Sequence, residues 1–521
     1  MSLRNPIRIL LIGLTLGLAF DLLFYGKLPG ISILLFTSLL GIALIATLRA
    51  ENTAVEWRNL WLLVFLFFFA SMAFVRANAF LTFLNISAVL VIVALLSVSL
   101  VRKPIMEMGI GDYLFAPILA SLMSFVHGSK IVRHIAEHSR RSARVRDSKL
   151  AAPLLRGLLL TVPVMLVFIP LLFSADLVFA EIVRGIFSLD TIKQAFHWGW
   201  RGVLIVAVGF IVSGGLAYTV WKQESGGDSE EASERDTSSP FALGAIEALV
   251  VVNAVNLLFL LFVLIQLPYL FGGQLNIDTA KFTYAEYARR GFAEMIVVAM
   301  LVLGLVLTLN ALAHLASQAQ RRLFNGSATV LAIFTTVILA SAFKRLLLYE
   351  QAYGFTQLRI YPHVFMIWLG LLLIWFAITL WFRPNRFAIG FLIAAFGFIG
   401  TLNAMNPDAF IVQQNYARYQ EQGDQAFFAT EDGLDTRYSP VQIDAAYFTT
   451  LSDDAVPAMI EIVDELDEQR HDVVDEHLRK RYQEMQSDNE WRRWQAFHIS
   501  RYRAFSLLQQ QYDGIMTSEK P

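Results

Sequence analysis

The sequence predicts an all-α fold: a polytopic transmembrane helix bundle followed by a small soluble helical domain at the C-terminus. Only 16% of its 521 residues are charged, against about 25% in typical soluble domains. Apolar runs of spanning length recur along most of the chain. Residues 1–405 carry 31 Lys and Arg against 21 Asp and Glu, whereas residues 406–521 carry 11 against 22. A basic membrane region therefore precedes an acidic soluble one.

About eleven membrane spans are predicted from the apolar runs. The first contains Asp21 and lacks a small-residue cleavage site, which favours a retained helix over a signal peptide. We expect Asp21 to lie at the interface and to pair with Lys27. Segment 113–129 is short for a span, and it suits a re-entrant or interfacial helix as well. The predicted spans are 7–26, 30–48, 59–75, 78–100, 152–174, 199–221, 241–270, 291–313, 327–348, 363–382 and 386–404.

The Lys and Arg residues of the loops predict the orientation. Cytoplasmic loops are enriched in these residues, and the enriched loops fall on the side of the N-terminus. With eleven spans the C-terminus then lies outside. The most basic stretch, residues 130–149, is predicted to lie against anionic lipids of the inner leaflet. The acidic tail argues against nucleic acid or anionic lipid as its partner.

A low-complexity segment divides the membrane region into two parts. Residues 222–240, "KQESGGDSEEASERDTSSP", have no apolar face and are predicted to form a disordered linker. The predicted organisation is an N-terminal transmembrane region (1–221), this linker, a C-terminal transmembrane region (241–405) and a soluble acidic helical domain (406–521).

The soluble region shows helical periodicity in two places. Val474, Leu478, Tyr482 and Met485 fall on one face of a predicted helix. Asp453 and Asp454 precede another apolar stretch and are interpreted as helix start signals. The later stretch 489–508 is also predicted to be one amphipathic helix, with its apolar face formed by Trp491, Trp494, His498, Tyr502 and Phe505.

Two clusters of polar residues interrupt the apolar chain on the predicted outer side. In the first, "KFTYAEYARRGF" (281–292), Thr283 and Glu286 form a T-x-x-E capping box, which explains part of the charge as a helix start. The second occupies residues 341–361. Ionisable groups at membrane depth need partners, so we expect Glu286 or Glu350 to pair with Arg345, Arg289 or Arg290. The candidate outer-face residues are Tyr284, Glu286, Tyr287, Arg289, Arg290, Arg345, Tyr349, Glu350, Tyr353 and Arg359.

Further polar residues lie inside the predicted spans. Glu247, Asn253 and Asn256 belong to the span 241–270, and Glu294 lies one turn into the next. They are candidates for a polar path between helices. The alternative is that the Asn side chains join helices by hydrogen bonds while both Glu residues reach the interfaces.

Motifs of common enzymes are missing from the sequence. It has no cysteine, so Cys-ligated metal sites are excluded. His471 and His477 fall on different helix faces, which argues against a shared metal. No P-loop, dinucleotide-binding glycine motif, H-E-x-x-H or G-x-S-x-G is present. We therefore predict no cofactor, no metal and no catalytic residue, and an enzyme is the less favoured class.

Six ordered blocks resemble a known family. They are "DLLFYGKLPGIS", "FTYAEYARRGF", "ASAFKRLLLYEQAYGFTQLRIY", "NPDAFIVQQNYARY", "LSDDAVPA" and "WRRWQAFHISRYRA", and they run from about residue 21 to 504. These blocks are similar to those of a bacterial polytopic membrane family of unknown function (the domain of unknown function 4153/4173 type). The resemblance implies a bacterial inner-membrane protein, and it implies no activity, substrate or cofactor.

Three functions remain open at this point. A transport or conductance protein would need a cavity that reaches the intramembrane polar residues. A sensory, scaffolding or envelope-assembly protein would use the extracytoplasmic helical domain to bind a protein partner. A membrane-embedded enzyme with its site at the outer face would need the two polar clusters to converge.

Overall fold

The computed structural model describes residues 6–53, 57–100, 105–142, 190–221, 243–271, 292–315, 317–382, 386–422 and 443–518, and these are predominantly α-helical. Two-residue strands, β1 (Leu243–Gly244) and β2 (Ala313–His314), pair in parallel. The helices of the membrane region are α1 (Pro6–Phe24), α2 (Ser32–Ala50), α3 (Leu62–Val75), α4 (Ala79–Ser99), α5 (Ile110–Ser142), α6 (Asp190–Trp221), α7 (Ala245–Phe271), α8 (Phe292–Leu312), α9 (Gln318–Tyr353), α10 (Gln357–Phe382) and α11 (Phe387–Met405). They are followed by α12 (Pro407–Gln422), α13 (Ala445–Phe448), α14 (Val456–Ile462), α15 (Glu468–Ser487) and α16 (Ile499–Ser518).

The predicted class of a multi-pass helical membrane protein is confirmed. Within the described ranges, nine helices are long and apolar enough to cross a membrane: α1, α2, α4 and α6 to α11. The predicted span 59–75 contains only the 14-residue α3, which is apolar but short. The predicted span 152–174 lies outside the described residues, as do the linker 222–240 and the end of the basic stretch 130–149.

The doubtful segment 113–129 is part of a long helix. Helix α5 continues from Ile110 to Ser142 and packs against α1, α4 and α6. The contact with α6 is very close, because a Cβ atom on Gly214 would lie only 1.7 Å from the backbone oxygen of Ser124. The segment is therefore a packed helix of the bundle, and its apolar part is Pro117–Val132.

Helices α1 and α6 touch through small residues. A Cβ atom on Gly17 would lie 2.1 Å from the backbone oxygen of Ile205, and one on Gly13 would lie 2.4 Å from that of Gly209. Ser213 lies at the same contact: its hydroxyl donates to the carbonyl oxygen of Gly209 at 2.6 Å and also lies 3.3 Å from that of Ile9 on α1. Close backbone approach through small residues is a common way for membrane helices to associate.

The first span is also joined to α6 by an ion pair. Arg201 donates from Nε and Nη2 to the two carboxylate oxygens of Asp21, at 3.0 and 2.5 Å. Lys27, the partner that the sequence suggested, lies after the end of α1; it donates to the backbone oxygen of Leu22, and its charge also acts on the Asp21 carboxylate. Asp21 is buried, and its ion pair with Arg201 joins α1 to α6.

The C-terminal region shares a core with the ends of the membrane helices. Leu81, Ile360 and Leu402 belong to the same buried cluster as the domain residues Phe448 and Met459. The predicted apolar face of α15 is confirmed, since Val474, Leu478, Tyr482 and Met485 are buried. The domain boundary near residue 406 stays a prediction.

The stretch 489–508 is not one helix, contrary to the prediction. Helix α16 begins only at Ile499, after a short 3₁₀ turn at Trp494–Ala496. Because helical spacing does not extend through the turn, the predicted face divides. Trp491 and His498 are buried, whereas Trp494 and Tyr502 are exposed.

Candidate functional site

The first polar cluster lies outside the described residues. Of the segment 281–292, only Phe292 is described, where it begins α8. The convergence of the two clusters therefore stays a prediction. The residues concerned are Tyr284, Glu286, Tyr287, Arg289 and Arg290.

The second cluster surrounds the tight turn between α9 and α10. Gly354 ends α9 with a φ angle of +78°, in the region that favours glycine. Arg359 lies over the ring of Tyr349, with 4.2 Å between its guanidinium carbon and the ring centroid, and also near the ring of Tyr353. Its Nη1 donates to the backbone oxygens of Tyr353 and Gly354. Arg359 thus stabilises the turn by hydrogen bonds and cation–π contacts.

Glu350 has a partner that the sequence did not suggest. Its Oε1 atom lies 2.8 Å from Nδ1 of His363 on α10, and both side chains are buried. The ring of Phe343 packs against the imidazole at 4.5 Å between ring centroids. Arg345 is partly buried on the same helix as Glu350. The Glu350–His363 pair joins α9 to α10 near the ends of both helices.

The four residues of the candidate intramembrane path do not share one environment: one is buried between helices and three are exposed. Asn256 is buried and donates from Nδ2 to the backbone oxygen of Ser327 on α9, at 2.9 Å. Asn253 donates to the backbone oxygen of Leu249 in its own helix, and its side chain is exposed. Glu247 and Glu294 are also exposed. Asn256 therefore serves as a bond between helices, which favours the structural alternative for this residue.

A buried polar network that the sequence analysis did not single out joins the C-terminal domain to the bundle. We call it the Asp408 hub, and it consists of Asn78, Gln357, Asp408, Ser452 and Asp454. Asp408 is completely buried. Its carboxylate accepts from Nδ2 of Asn78 (3.0 and 3.2 Å), Nε2 of Gln357 (2.6 Å), and the backbone N–H (3.1 Å) and hydroxyl (2.6 Å) of Ser452. One carboxylate thus binds donors from two membrane helix starts and the domain.

Local sequence explains why these groups meet. Asn78 caps α4, since its side-chain oxygen accepts from the backbone N–H of Leu81 at 3.1 Å. Asn406 adopts a left-handed conformation (φ +53°) that ends α11 and turns the chain into α12. Pro407 then starts α12, and Asp408 occupies its first turn, where the helix dipole stabilises a negative charge.

The two aspartates before α14 contact other parts of the chain. Asp454 accepts from the backbone N–H of Asn78 at 3.0 Å, and burial raises the pKa of its carboxyl group. Asp453 receives two hydrogen bonds from Arg481, at 2.7 and 2.9 Å, and this pairing raises the pKa of Arg481. The N-cap residue of α14 is Ala455, without a side-chain cap. The helix start that these aspartates predicted is present, since α14 begins at Val456, but their side chains bind other parts of the chain and do not cap it.

A second polar contact lies beside the hub. Asn85 on α4 and Asn403 on α11 are completely buried, and each amide donates to the other at 3.0 and 2.8 Å. Arg76 donates from Nε to the backbone oxygen of Asn403. His498 of the domain donates from Nε2 to the backbone oxygen of Arg76 at 3.0 Å. The end of α3 is thereby connected both to α11 and to the domain.

Burial makes His498 a source of acid sensitivity. Desolvation, followed by the charge of Arg501, lowers the pKa of His498 from 6.5 to about 4. Between these two pH values the unfolded chain binds a proton at this imidazole and the folded chain does not, so stability falls as the pH is lowered. We expect this residue to reduce the free energy of unfolding by about 2 kcal/mol between pH 7 and pH 5.

The measurement is chemical unfolding in detergent at both pH values, for the natural protein and for His498→Gln. The glutamine amide can donate to the same carbonyl oxygen but does not titrate. The variant should lose this part of the pH dependence, and an unchanged dependence would contradict the assignment. Asp454, whose raised pKa acts in the opposite direction, is present in both proteins.

The fold and the hub together define a class of protein: a multi-pass helical membrane protein with a helical C-terminal domain that is docked on the ends of its spans. Comparison with family models gave one match. Residues 62–462 match the family described as "Domain of unknown function (DUF4153)", and the chain belongs to that family. The matched range includes every residue of the Asp408 hub. Searches of curated proteins and of solved structures gave no match.

Two signals could have revealed the hub from the sequence. Asn406, Pro407 and Asp408 combine a turn residue, a helix-starting proline and a carboxylate directly after an apolar span. Asp453 and Asp454 stand together in a short segment with no flanking cation. Neither signal names its partner, however, because Asn78, Gln357 and Ser452 are remote in sequence from Asp408.

Proposed function

We propose that the protein is a scaffolding or sensory membrane protein whose helical C-terminal domain binds a protein partner in a fixed orientation. The bias of Lys and Arg in the loops supports an extracytoplasmic position for this domain. The observation that carries the proposal is the Asp408 hub, because it connects the domain to α4 and α10 as well as to the last span.

A domain that only hung from the last span would need no such network. Burying a carboxylate costs free energy unless well-oriented donors compensate it. Those donors are correctly placed in one arrangement of the domain and the bundle, so the network selects that arrangement. A movement of α4 or α10 would displace donors from Asp408. The hub therefore suits either constant presentation of a surface or transmission of a change from the membrane helices.

The surface available to a partner includes the outer side of α15. Val473 is exposed there between Asp472 and Glu476, which are also exposed. The opposite side of this helix carries the buried Val474, Leu478 and Tyr482. Burial of these residues in the core of the domain fixes the orientation of α15, so its exposed side faces away from that core.

The proposal is tested by photo-crosslinking in native membranes, with a photoreactive amino acid at Val473. The control position is Ile367, which is exposed on the span α10. We expect a discrete protein product from position 473 and none from 367. In an Asp408→Asn background at equal abundance, the product from 473 should fall several-fold. The proposal would be refuted if exposed positions on α15 yielded no product, or if Asp408→Asn left its yield unchanged.

Transport or conductance is the second function that the composition favours, and it stays a prediction. Its support is the set of polar residues on α7 and α8, of which Asn256 is engaged between helices. An ion flux in proteoliposomes that depended on Glu247 or Glu294 would support it. An outer-face enzyme likewise stays a prediction, since it requires the segment 281–292 to approach Glu350 and Arg359.

A further inference from the structure

The C-terminal domain carries a basic and aromatic strip in an otherwise acidic surface. From Trp491 to Tyr512 the sequence contains four arginines and no Asp or Glu, whereas the whole region 406–521 has twice as many acidic as basic residues. Four large apolar side chains in the first part of this stretch, residues 491–503, are exposed: Trp494 by 56%, Phe497 by 40%, Ile499 by 43% and Tyr502 by 60%. Large apolar side chains grouped in this way mark a contact surface.

Direct contacts place this strip at the ends of the membrane helices. The backbone oxygen of Phe497 accepts from the N–H of Ile31 at 3.0 Å, immediately before α2. Arg493 donates from Nη1 to the backbone oxygen of Gly26, two residues after the end of α1. A Cβ atom on Gly30 would lie 2.6 Å from the backbone of Ala496 and Phe497, so the two chain segments touch without intervening side chains.

The height of the strip follows from these contacts. Helices α1 and α2 are both long and apolar enough to span a membrane, so the short connection 25–31 between them lies near the level where the hydrocarbon ends. Residues that contact this connection lie within a few ångströms of the same level. His498, bonded to the backbone oxygen of Arg76 after α3, provides a second contact at the same end of the bundle.

We propose that the strip 491–503 is a lipid-contacting surface, which seats the C-terminal domain in the phospholipid headgroup layer beside α1 and α2. Tryptophan and tyrosine favour that layer because their rings are apolar with one polar edge. Arginine side chains can extend to lipid phosphates while their carbon chains cover apolar surface. The exposed Arg492 and Arg503 flank the aromatic residues. The ligand that this surface would recognise is therefore the phosphate group of a lipid headgroup, with the apolar layer of the bilayer beneath it.

Charge favours this strip over the rest of the domain as the side that faces the membrane. Seven exposed acidic residues lie between Glu461 and Glu476, and Glu484, Asp488 and Glu490 are exposed just before the strip. Repulsion from lipid phosphates disfavours the approach of these carboxylates to the bilayer. The strip therefore orients the domain, with its basic and aromatic side towards lipid and its acidic helices towards water. This inference does not depend on the proposed scaffolding function, since it concerns lipid and not a protein partner.

Site-directed spin labelling tests the inference. Because the chain contains no cysteine, single cysteines can be placed at Trp494, at Tyr502 and at the control position Val473. The full-length protein is reconstituted in phosphatidylcholine vesicles that contain some phosphatidylglycerol. The accessibility of each label to oxygen, which concentrates in lipid, is then compared with its accessibility to a water-soluble nickel chelate.

We expect the ratio of oxygen to nickel accessibility to be several-fold higher at 494 and 502 than at 473. Equal ratios at all three positions would overturn the inference and leave the strip free for a soluble protein. Low accessibility of 494 and 502 to both reagents would also overturn it, by indicating contact with a second protein chain. The two labelled positions are independent, and each variant is first compared with the unlabelled protein in thermal stability.

Discussion

Replacement of Asp408 by alanine is expected to lower the free energy of unfolding by about 3–5 kcal/mol, because several buried donors would be left unpaired at a cost of about 1–3 kcal/mol each. The variant would leave the side chains of Asn78, Gln357 and Ser452 without the carboxylate to which they donate. Each such donor loses its protein partner in a place that water does not reach. The effect should therefore exceed that of an ordinary large-to-small substitution at the surface.

The measurement is chemical unfolding of the full-length protein in detergent. Asp408→Asn keeps the shape of the side chain and one acceptor oxygen, so we expect it to lower the free energy of unfolding less than alanine does. A loss remains because the new amide N–H₂ group faces other donors. The matched control is Asp472→Ala, because 76% of the Asp472 side chain is exposed, and such changes are usually within about 0.5 kcal/mol. Similar losses for Asp408→Ala and Asp472→Ala would contradict the role of the hub.

The second large effect is expected at Gly17. A methyl group there would lie 2.1 Å from the backbone oxygen of Ile205 and 3.1 Å from the backbone nitrogen of Gly209. Neither atom can move without displacement of α6, so Gly17→Ala must separate the two helices. Overpacking of this kind costs about 1–3 kcal/mol, and we expect the upper end because the obstacle is backbone.

Gly41 provides a matched control for Gly17. It also lies within an apolar span, α2, but a Cβ atom on Gly41 would meet nothing within 4 Å. Gly41→Ala should be neutral or slightly stabilising, since alanine favours the helical conformation. Unfolding of both variants in the same detergent gives the comparison. Equal stabilities would show that α1 and α6 do not approach as closely as the structure places them.

The two positions probe different parts of the molecule. Gly17 lies in the contact of α1 with α6, whereas Asp408 lies where α12 begins and the domain meets α4 and α10. Because they share no contact, the losses in a Gly17→Ala/Asp408→Asn double variant should add. In the cross-linking experiment at Val473, by contrast, Asp408→Asn should reduce the product more than Gly17→Ala at equal abundance.

Much of the fold was accessible from composition and periodicity alone. Nine predicted spans correspond to described helices of spanning length, because each apolar run must satisfy its backbone hydrogen bonds within itself in lipid. The buried face of α15 could be predicted because the helical spacing of its apolar residues is a local property of the sequence. The prediction of one helix over 489–508 failed because its apolar residues keep helical spacing across a 3₁₀ turn, and spacing does not reveal the break.

The candidate site was less accessible. The turn at Gly354 was visible in the sequence, but the pairing of Glu350 with His363 was not. The Asp21–Arg201 pair joins residues 180 positions apart, whereas the sequence suggested the nearby Lys27. The sequence shows that a charged residue within a span needs a partner. It does not identify that partner when helices that are far apart in the chain pack side by side.

By itself, the sequence determined that this chain is a multi-pass helical membrane protein with an acidic helical C-terminus, because hydrophobic length and charge are local properties. Only the tertiary structure decided how the C-terminal domain is held. The donors to Asp408 come from Asn78, Gln357 and Ser452, three positions that no periodicity connects. They meet because the ends of α4, α10 and α11 lie together at one end of the bundle, and a buried carboxylate is stable only where such donors converge.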